Sequence, residues 1–211
     1  MASRPAHSEQ RRQQILDAAA RVISDRGLCD ARIADIASAA ATSTGLILYY
    51  FGSKDNLLSE ALTSAEDHFY LHIFRTITDI DDPRRQLAEL VAGSCPGTPD
   101  AHEGVDAEWR LWVELWARAL HDPEVARRRA ALDRRWRSTI ADVVRTGQHR
   151  DVFATAIDAQ EFALELAALM DGLALQVELA DTEVDGARML QLSMAYAMRR
   201  LAFQLDEVPA V

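Results

Sequence analysis

At 211 residues, 49% hydrophobic with only 9 glycines and 6 prolines, the chain has a globular composition and room for a small domain plus a larger one; its Ala, Leu and Arg content predicts an all-α fold. The net charge of -10 is uneven: residues 1 to 58 carry seven Arg or Lys against six Asp or Glu, a balance of +1 that leaves -11 for the remainder, so any contact with a polyanion is confined to the N-terminal part. Glu161, Glu165, Asp171 and Glu178 interrupt the greasiest stretch and exclude a membrane span, while Cys29 and Cys95 form no CxxC pair and offer neither a disulfide framework nor a zinc site.

In chain order, a polar, basic tail to about Ser8 lacks the apolar run of a signal peptide, which makes the cytoplasm the expected compartment. Ile15, Leu16, Ala19, Val22 and Ile23 then recur at helical spacing before Gly27, predicting a first helix from about Glu9 to Arg26. A short second helix carries Ile33, Ile36, Ala37 and Ala40, and after a break at Ala41 to Ser43 a third runs from Thr44 to about Tyr50. Ser53 is the expected cap of a long fourth helix with the stripe Leu57, Leu58, Ala61, Leu62, Ala65, Phe69, Ile73 and Ile77. Asp82 before Pro83 and Asp122 before Pro123 each place a capping carboxylate ahead of a proline at the first helical position, and so open the fifth and seventh helices. Gly93 to Gly104 reads as a mobile loop before a sixth helix from about Val105 to Leu120. The seventh is expected to stop at Gly147, the eighth to start on the Asp158 and Glu161 capping pair, and the ninth to run from about Asp185 to Leu205.

Three short helices followed by a long one, with a turn before the third, allow a recognition helix to enter a major groove about 12 Å wide. The segment Ile33 to Leu58, IADIASAAATSTGLILYYFGSKDNLL, resembles the signature of the TetR family of transcriptional regulators: an Ile-Ala helix, Ser-x-Gly, an aromatic pair with Phe, then Ser-Lys. The resemblance implies a helix-turn-helix DNA-binding domain over residues 1–53 and a ligand-binding and dimerisation domain over 54–211. It makes Thr42 in the turn a DNA-binding residue and Ser43 the cap of the recognition helix, faces Thr44, Leu46 and Tyr49 to base edges, and gives phosphates to Tyr50 and Lys54. Lys54 stands at the start of a helix, where free amides already favour an anion. Arg4, Arg11 and Arg12 either touch the adjacent DNA backbone or form a solvated face. Three positions depart from the family pattern. Ala41 replaces a turn glycine or asparagine, and an alanine forced left-handed costs on the order of 1 to 2 kcal/mol. Leu48 occupies the place of a common phosphate-binding tyrosine, so that either one backbone contact is missing or Tyr49 supplies it instead. Arg32 replaces a threonine cap, so that either Asp30 caps the second helix or Arg32 itself contacts phosphate.

The C-terminal half resembles the choline-responsive BetI-type subgroup through EWRLWVELWARALHDPEV and DGLALQ. Trp109, Trp112 and Trp116 fall on one face of the sixth helix, with Phe69, Met170 and Leu173 as candidates to oppose them. They form either ordinary core or the wall of a ligand pocket, and an aromatic cage for a quaternary ammonium ion is chemically possible. His68 and His72 stand four apart beside Glu66 and Asp67 without a third ligand, so no metal is expected. Arg127, Arg128, Arg129, Arg134, Arg135 and Arg137 read as a solvated or ion-paired face, given Glu124 and Asp133 among them. The eighth and ninth helices are apolar on more than one side, and Leu164, Leu169, Leu190, Met194, Met198 and Leu201 are the candidates for a two-fold, four-helix dimer interface.

The expected protein is therefore a cytoplasmic homodimeric regulator, a repressor by family habit, that binds double-stranded operator DNA and responds to a small-molecule effector when the fourth helix swings the DNA-reading heads. No cofactor and no membrane partner are expected. HExxH, Walker and GxSxG motifs are absent, which argues against an enzyme. The alternative is a dimeric helical carrier or interaction module that no longer reads DNA, a reading kept open by Ala41, Leu48 and the acidic charge.

Overall fold

The computed structural model describes residues 4–96 and 105–205, and every regular element among them is a helix. In order these are α1 (Arg4–Arg26), α2 (Ile33–Ala39), α3 (Thr44–Phe51), α4 (Lys54–Thr78), α5 (Pro83–Ala92), α6 (Val105–Ala119), α7 (Pro123–His149), α8 (Ala159–Glu178) and α9 (Gly186–Leu201). Side-chain caps fix most of the starts. Ser43 accepts from the Leu46 amide, Ser53 from Asn56, Asp82 from Arg84, Asp122 from Glu124 and Val125, Asp158 from Gln160 and Glu161, and Asp185 from Arg188. Of the expected loop at Gly93 to Gly104, residues 97–104 lie outside the described residues.

Two hydrophobic cores are built along the chain. The first gathers Ile15, Ile23, Ile36, Ile47, Phe51 and Leu57 from α1 to the start of α4, and it also takes in Leu111 and Leu115 of α6 and Val125 of α7. The second joins the far half of α4, through Ile73 and Ile77, to α5, α7, α8 and α9 around Phe162, Leu166 and Ile140. Thus α4 runs through both cores, and so does α6, with Trp109 in the second core and Leu111 and Leu115 in the first.

Several boundaries differ from the sequence expectation. Helix α1 begins at Arg4, ahead of the expected Glu9, because its first turns are polar and carry no apolar stripe to betray them. Asp30 does not cap α2; the cap position is Arg32, with extended backbone and no side-chain cap. Helix α7 does not stop at Gly147 but continues to His149. That glycine serves packing instead: a Cβ there would lie 2.1 Å from the Phe153 ring, which folds back over the helix to meet Phe203 at 4.9 Å between centroids. Helix α9 ends at Leu201, short of the expected Leu205, where Ala202 turns left-handed (φ 55°) and sends Phe203 into the core. Leu190, Met194 and Leu201, expected at a dimer interface, are no more than 1% exposed inside the protomer's own core, so they cannot meet a partner. A helix that is apolar on two sides does not announce which side its own fold consumes.

The turn before α3 keeps its left-handed residue despite the alanine. Ala41 has φ 47°, and the Thr42 amide reaches back to the Ala37 carbonyl at 2.8 Å, closing α2 in the manner of a Schellman cap. Backbone geometry has therefore been held at a steric cost. Ala41→Gly is expected to raise stability by roughly 1 kcal/mol, read as a higher denaturant midpoint with an unchanged slope.

Candidate functional site

The N-terminal site is the surface of α3. Ile47 and Phe51 anchor it in the first core, at 0% and 3% exposure, and so turn Thr44, Gly45, Leu48 and Tyr49 outward. Tyr49 is 81% exposed, an expensive placement for a large ring that folding alone does not require. Gly45 faces open space, with Ser43 Oγ at 3.9 Å the only atom near its missing side chain, so its glycine is not demanded by packing within the described residues. Leu46 and Thr42 are half-buried at the edge of this face, and Arg32 is exposed at the start of α2. Tyr50 is half-buried against Tyr49, its hydroxyl 3.2 Å from Ser8 Oγ, while Lys54 reaches the Cys29 carbonyl at 3.4 Å. Arg12 is committed inside the domain: it pairs with Glu60 and lies over the Phe51 ring at 5.2 Å. Arg11 is held by Gln14 at 3.1 Å.

The C-terminal site is a cavity of about 200 Å³ enclosed by α4, α6, α7 and α8. Its walls are aromatic. Phe69 and Tyr70 come from α4, Trp109, Trp112 and Trp116 from α6, and Trp136 from α7. Helical spacing delivers the α6 trio, and Trp109 and Trp116 meet edge to face at 6.3 Å. Hydrogen bonds fix two of these rings: the Trp109 indole donates to the Ser94 carbonyl at 2.7 Å, and the Tyr70 hydroxyl donates to the Leu132 carbonyl at 2.9 Å. Phe69 packs on Trp136 at 5.6 Å, with Arg135 stacked 4.0 Å over Tyr70 from outside.

Charge enters this apolar box from α7 and α8. Asp133, Arg129 and Arg137 line it from α7, and Asp171 lines it from α8. Arg129 pairs with Asp133 at 2.8 Å and lies 5.8 Å over Trp116, while Arg137 donates to the Asp133 backbone carbonyl at 3.1 Å. Burial pushes the Asp171 carboxyl up from 3.8 to about 6, the neighbouring Asp133 adds to the rise, and Arg129 and Arg137 partly oppose it. Asp133 is raised too, again chiefly by burial.

Of the residues expected to line a pocket, Phe69, Trp109, Trp112, Trp116 and Met170 are brought together here. Leu173 is not; it sits at 7% exposure in the second core. Sequence reasoning missed Tyr70, Trp136, Asp133 and Asp171. The signal for Asp171 was present as a carboxylate in the most apolar helix, and Asp133 with Trp136 forms an i, i+3 pair on α7 hidden among the arginines. Those arginines are largely paired, as expected: Arg127 and Arg128 with Glu124, and Arg135 with Asp67. Of the histidine pair on α4, the His72 side chain lies outside the described residues, and among those described no cluster of three His, Cys, Asp or Glu can hold a metal. No helix among the described residues is long and apolar enough to cross a membrane.

The outward stripe of α8 is Leu164, Ala168 and Gly172, continued by its C-cap residue Leu179, with Leu164 at 51% and Leu179 at 73% exposure. Leu169 of α8 and Met198 of α9 are half-buried and pack against the second core. The rim of the cavity shares this stripe, since Leu164 and Ala168 also line the cavity.

A helix-turn-helix head carrying an exposed recognition face, joined to an aromatic cavity through helices common to both, defines a ligand-responsive DNA-binding regulator. Comparison with known proteins agrees. Residues 15–61 match the model of bacterial regulatory proteins of the tetR family, and residues 83–202 match the C-terminal model of BetI-type transcriptional repressors. The chain is 31% identical over 200 residues to the HTH-type transcriptional regulator BetI 1 of Chromohalobacter salexigens, covering 94% of each chain, and 31% identical to BetI of Stenotrophomonas maltophilia, covering 93% of each. Among solved structures, a transcriptional regulator from Saccharomonospora viridis in complex with choline superposes with a TM-score of 0.81 at 34% identity, over 90% of this chain and 96% of that one. A TetR-family regulator from Rhodococcus sp. superposes at 0.78 with 25% identity, over 92% of this chain and 99% of the other. The chain belongs to the TetR family of transcriptional regulators, with a C-terminal domain of the BetI type.

The raised Asp171 carboxyl carries a stability consequence of definite sign. Between pH 3.8 and about 6 the folded chain holds a proton that the unfolded chain has released, so stability falls as pH rises through that window, and the full penalty stands above it. Asp171→Asn is accordingly expected to stabilise the ligand-free protein at pH 8, by on the order of 2 to 3 kcal/mol. Thermal unfolding at several pH values checks this: the advantage should fade as pH drops towards 3.8.

Proposed function

We propose that this regulator binds a palindromic operator as a homodimer and changes its grip on that DNA when a small quaternary ammonium cation of the choline class enters the C-terminal cavity. Operator DNA sets the compartment as the cytoplasm. Two half-sites about one helical turn apart, or a related spacing on a longer operator, match two copies of α3. Thr44, Leu46 and Tyr49 read base edges from the exposed face of α3, with Gly45 allowing close approach; Ser43 caps the helix beside Thr42, and Arg32, Tyr50 and Lys54 serve phosphates. Leu164 of α8 and Leu179 at its C-cap, flanking Ala168 and Gly172, form the centre of the partner interface, with Leu169 and Met198 at its margin.

The observation that carries the effector reading is an aromatic box of six rings with a half-buried carboxylate, Asp171, on its wall. A quaternary ammonium has no N–H to donate and is held by ring faces and a nearby negative charge; each ring contributes about 0.5 to 2 kcal/mol, most when desolvated. The cavity is small enough to suit a compact cation. Arg129 is bound to Asp133, which leaves Asp171 as the carboxylate available to the ligand. The choline-bound regulator from Saccharomonospora viridis supports the same assignment.

A charge-matched pair of ligands tests this. An operator duplex is selected from a random pool, and its binding to the protein is followed by fluorescence anisotropy. Saturating choline is expected to change operator affinity by about 5- to 150-fold, whereas 3,3-dimethyl-1-butanol, its uncharged carbon isostere, leaves it unaltered. Equal responses to both compounds, or none to choline, would sink the assignment.

A further inference from the structure

Helix α6 belongs to both cores, and its two faces look at different functions. Trp109 and Trp116 line the cavity, and Leu111 and Leu115 are 5% and 4% exposed in the core of the DNA-reading head. Trp112 packs against both cores. Between Leu111 and Leu115 on the helix surface stands Glu114, whose carboxylate leaves α6 altogether and accepts the backbone N–H of Leu28 at 3.0 Å.

That amide is a specific target. Helix α1 ends at Arg26, Gly27 turns left-handed with φ 79°, and the Leu28 N–H that follows is turned toward α6. The turn is shaped around the carboxylate as well: a Cβ on Gly27 would stand 3.0 Å from Glu114 Oε1. Leu28 itself is buried in the N-terminal core, and the chain proceeds from it within a few residues to α2, the first helix of the helix-turn-helix. Glu114 is thus a polar tie between the helix carrying three cavity tryptophans and the turn that sets where the DNA-reading pair begins.

We propose that Glu114 is the residue through which occupancy of the cavity is communicated to the helix-turn-helix: its carboxylate ties the α1–α2 turn to α6, and is drawn off that turn when α6 adjusts to a bound cation. The proposal rests on the effector reading given above. An α-helix moves as a rod, so a slide or rotation that admits a ligand beside Trp109, Trp112 and Trp116 carries Glu114 with it. The tie has little slack, because a hydrogen bond at 3.0 Å is lost once its partners part beyond about 3.5 Å. Leu111 and Leu115 slide on an apolar surface and have no such threshold; the charged contact supplies a two-state element that a greasy interface lacks.

The test is a thermodynamic square measured on wild type, Glu114→Ala and Glu114→Gln: choline affinity with and without operator duplex, and operator affinity with and without choline. In wild type the two ratios are equal by linkage and lie at about 5 to 150. Glu114→Ala is expected to bring the ratio close to 1 without weakening choline binding to the DNA-free protein, since the contact that binding must break is gone, and Glu114→Gln, which keeps an acceptor oxygen, is expected to retain part of the ratio. A residue that merely stabilised the fold would lower the melting temperature and leave the ratio intact, and that outcome overturns the proposal. Should Glu114→Ala fold poorly, Glu114→Gln and Gly27→Ala, which crowds the carboxylate from the other side, still report on the ratio; an unchanged ratio in both also overturns it. A wild-type ratio of 1 is a separate result, removing the effector reading itself and this proposal with it.

Discussion

Helix α6 is squeezed between two cores. Fifteen residues, Val105–Ala119, must satisfy an aromatic cavity on one side and the hydrophobic interior of a DNA-reading head on the other, and interiors packed at crystal density do not yield to one demand without transmitting it to the other. The remainder of the architecture follows from that double burial. Helix α4 runs beside it through both cores, α7 and α8 close the cavity over its tryptophans, and α1 presents its C-terminal turn to Glu114. A swing of α4, the motion expected from the sequence, therefore has a second strut beside it.

The cavity holds a conflict that folding alone leaves unresolved. Asp171 is charged at neutral pH only against the resistance of its apolar surroundings and of Asp133, and Arg129 and Arg137 offset that resistance in part. The cation proposed for this cavity would supply what the fold withholds. Under the proposed effector reading the same side chain weakens the protein without a cation and strengthens it with one, the usual relation between stability and function at a binding site.

Much of this was legible in the sequence, and the limits are instructive. Helix starts were legible because the caps are local: Ser43, Ser53, Asp82, Asp122, Asp158 and Asp185 each accept an amide two or three residues ahead. The tryptophan wall was legible because its period is that of one helix. Gly147 was misread as a stop because its reason for being glycine is the Phe153 ring, a contact that helical periodicity does not encode. Asp171 read as an interruption of an apolar run because its counterparts, Asp133 and Trp136, lie on another helix. Leu190, Met194 and Leu201 were given to a dimer because an all-round apolar helix does not say which flank its own protomer claims. The Glu114 contact to Leu28 left no trace in the sequence at all, since it joins residues 86 apart. Ala41 is the instructive opposite, where the sequence announced a strained left-handed turn and the backbone kept it.

The most direct test of α6 as the shared element is hydrogen exchange on the intact protein with and without choline. Choline is expected to slow exchange in α6 around Trp109 to Trp116 and, in the same experiment, to speed it in the turn from Gly27 to Ala31, where the Leu28 amide leaves Glu114. Protection confined to the segments lining the cavity, with the Gly27 to Ala31 turn unchanged, would contradict the account, because the cavity would then fill without the DNA-reading head feeling it.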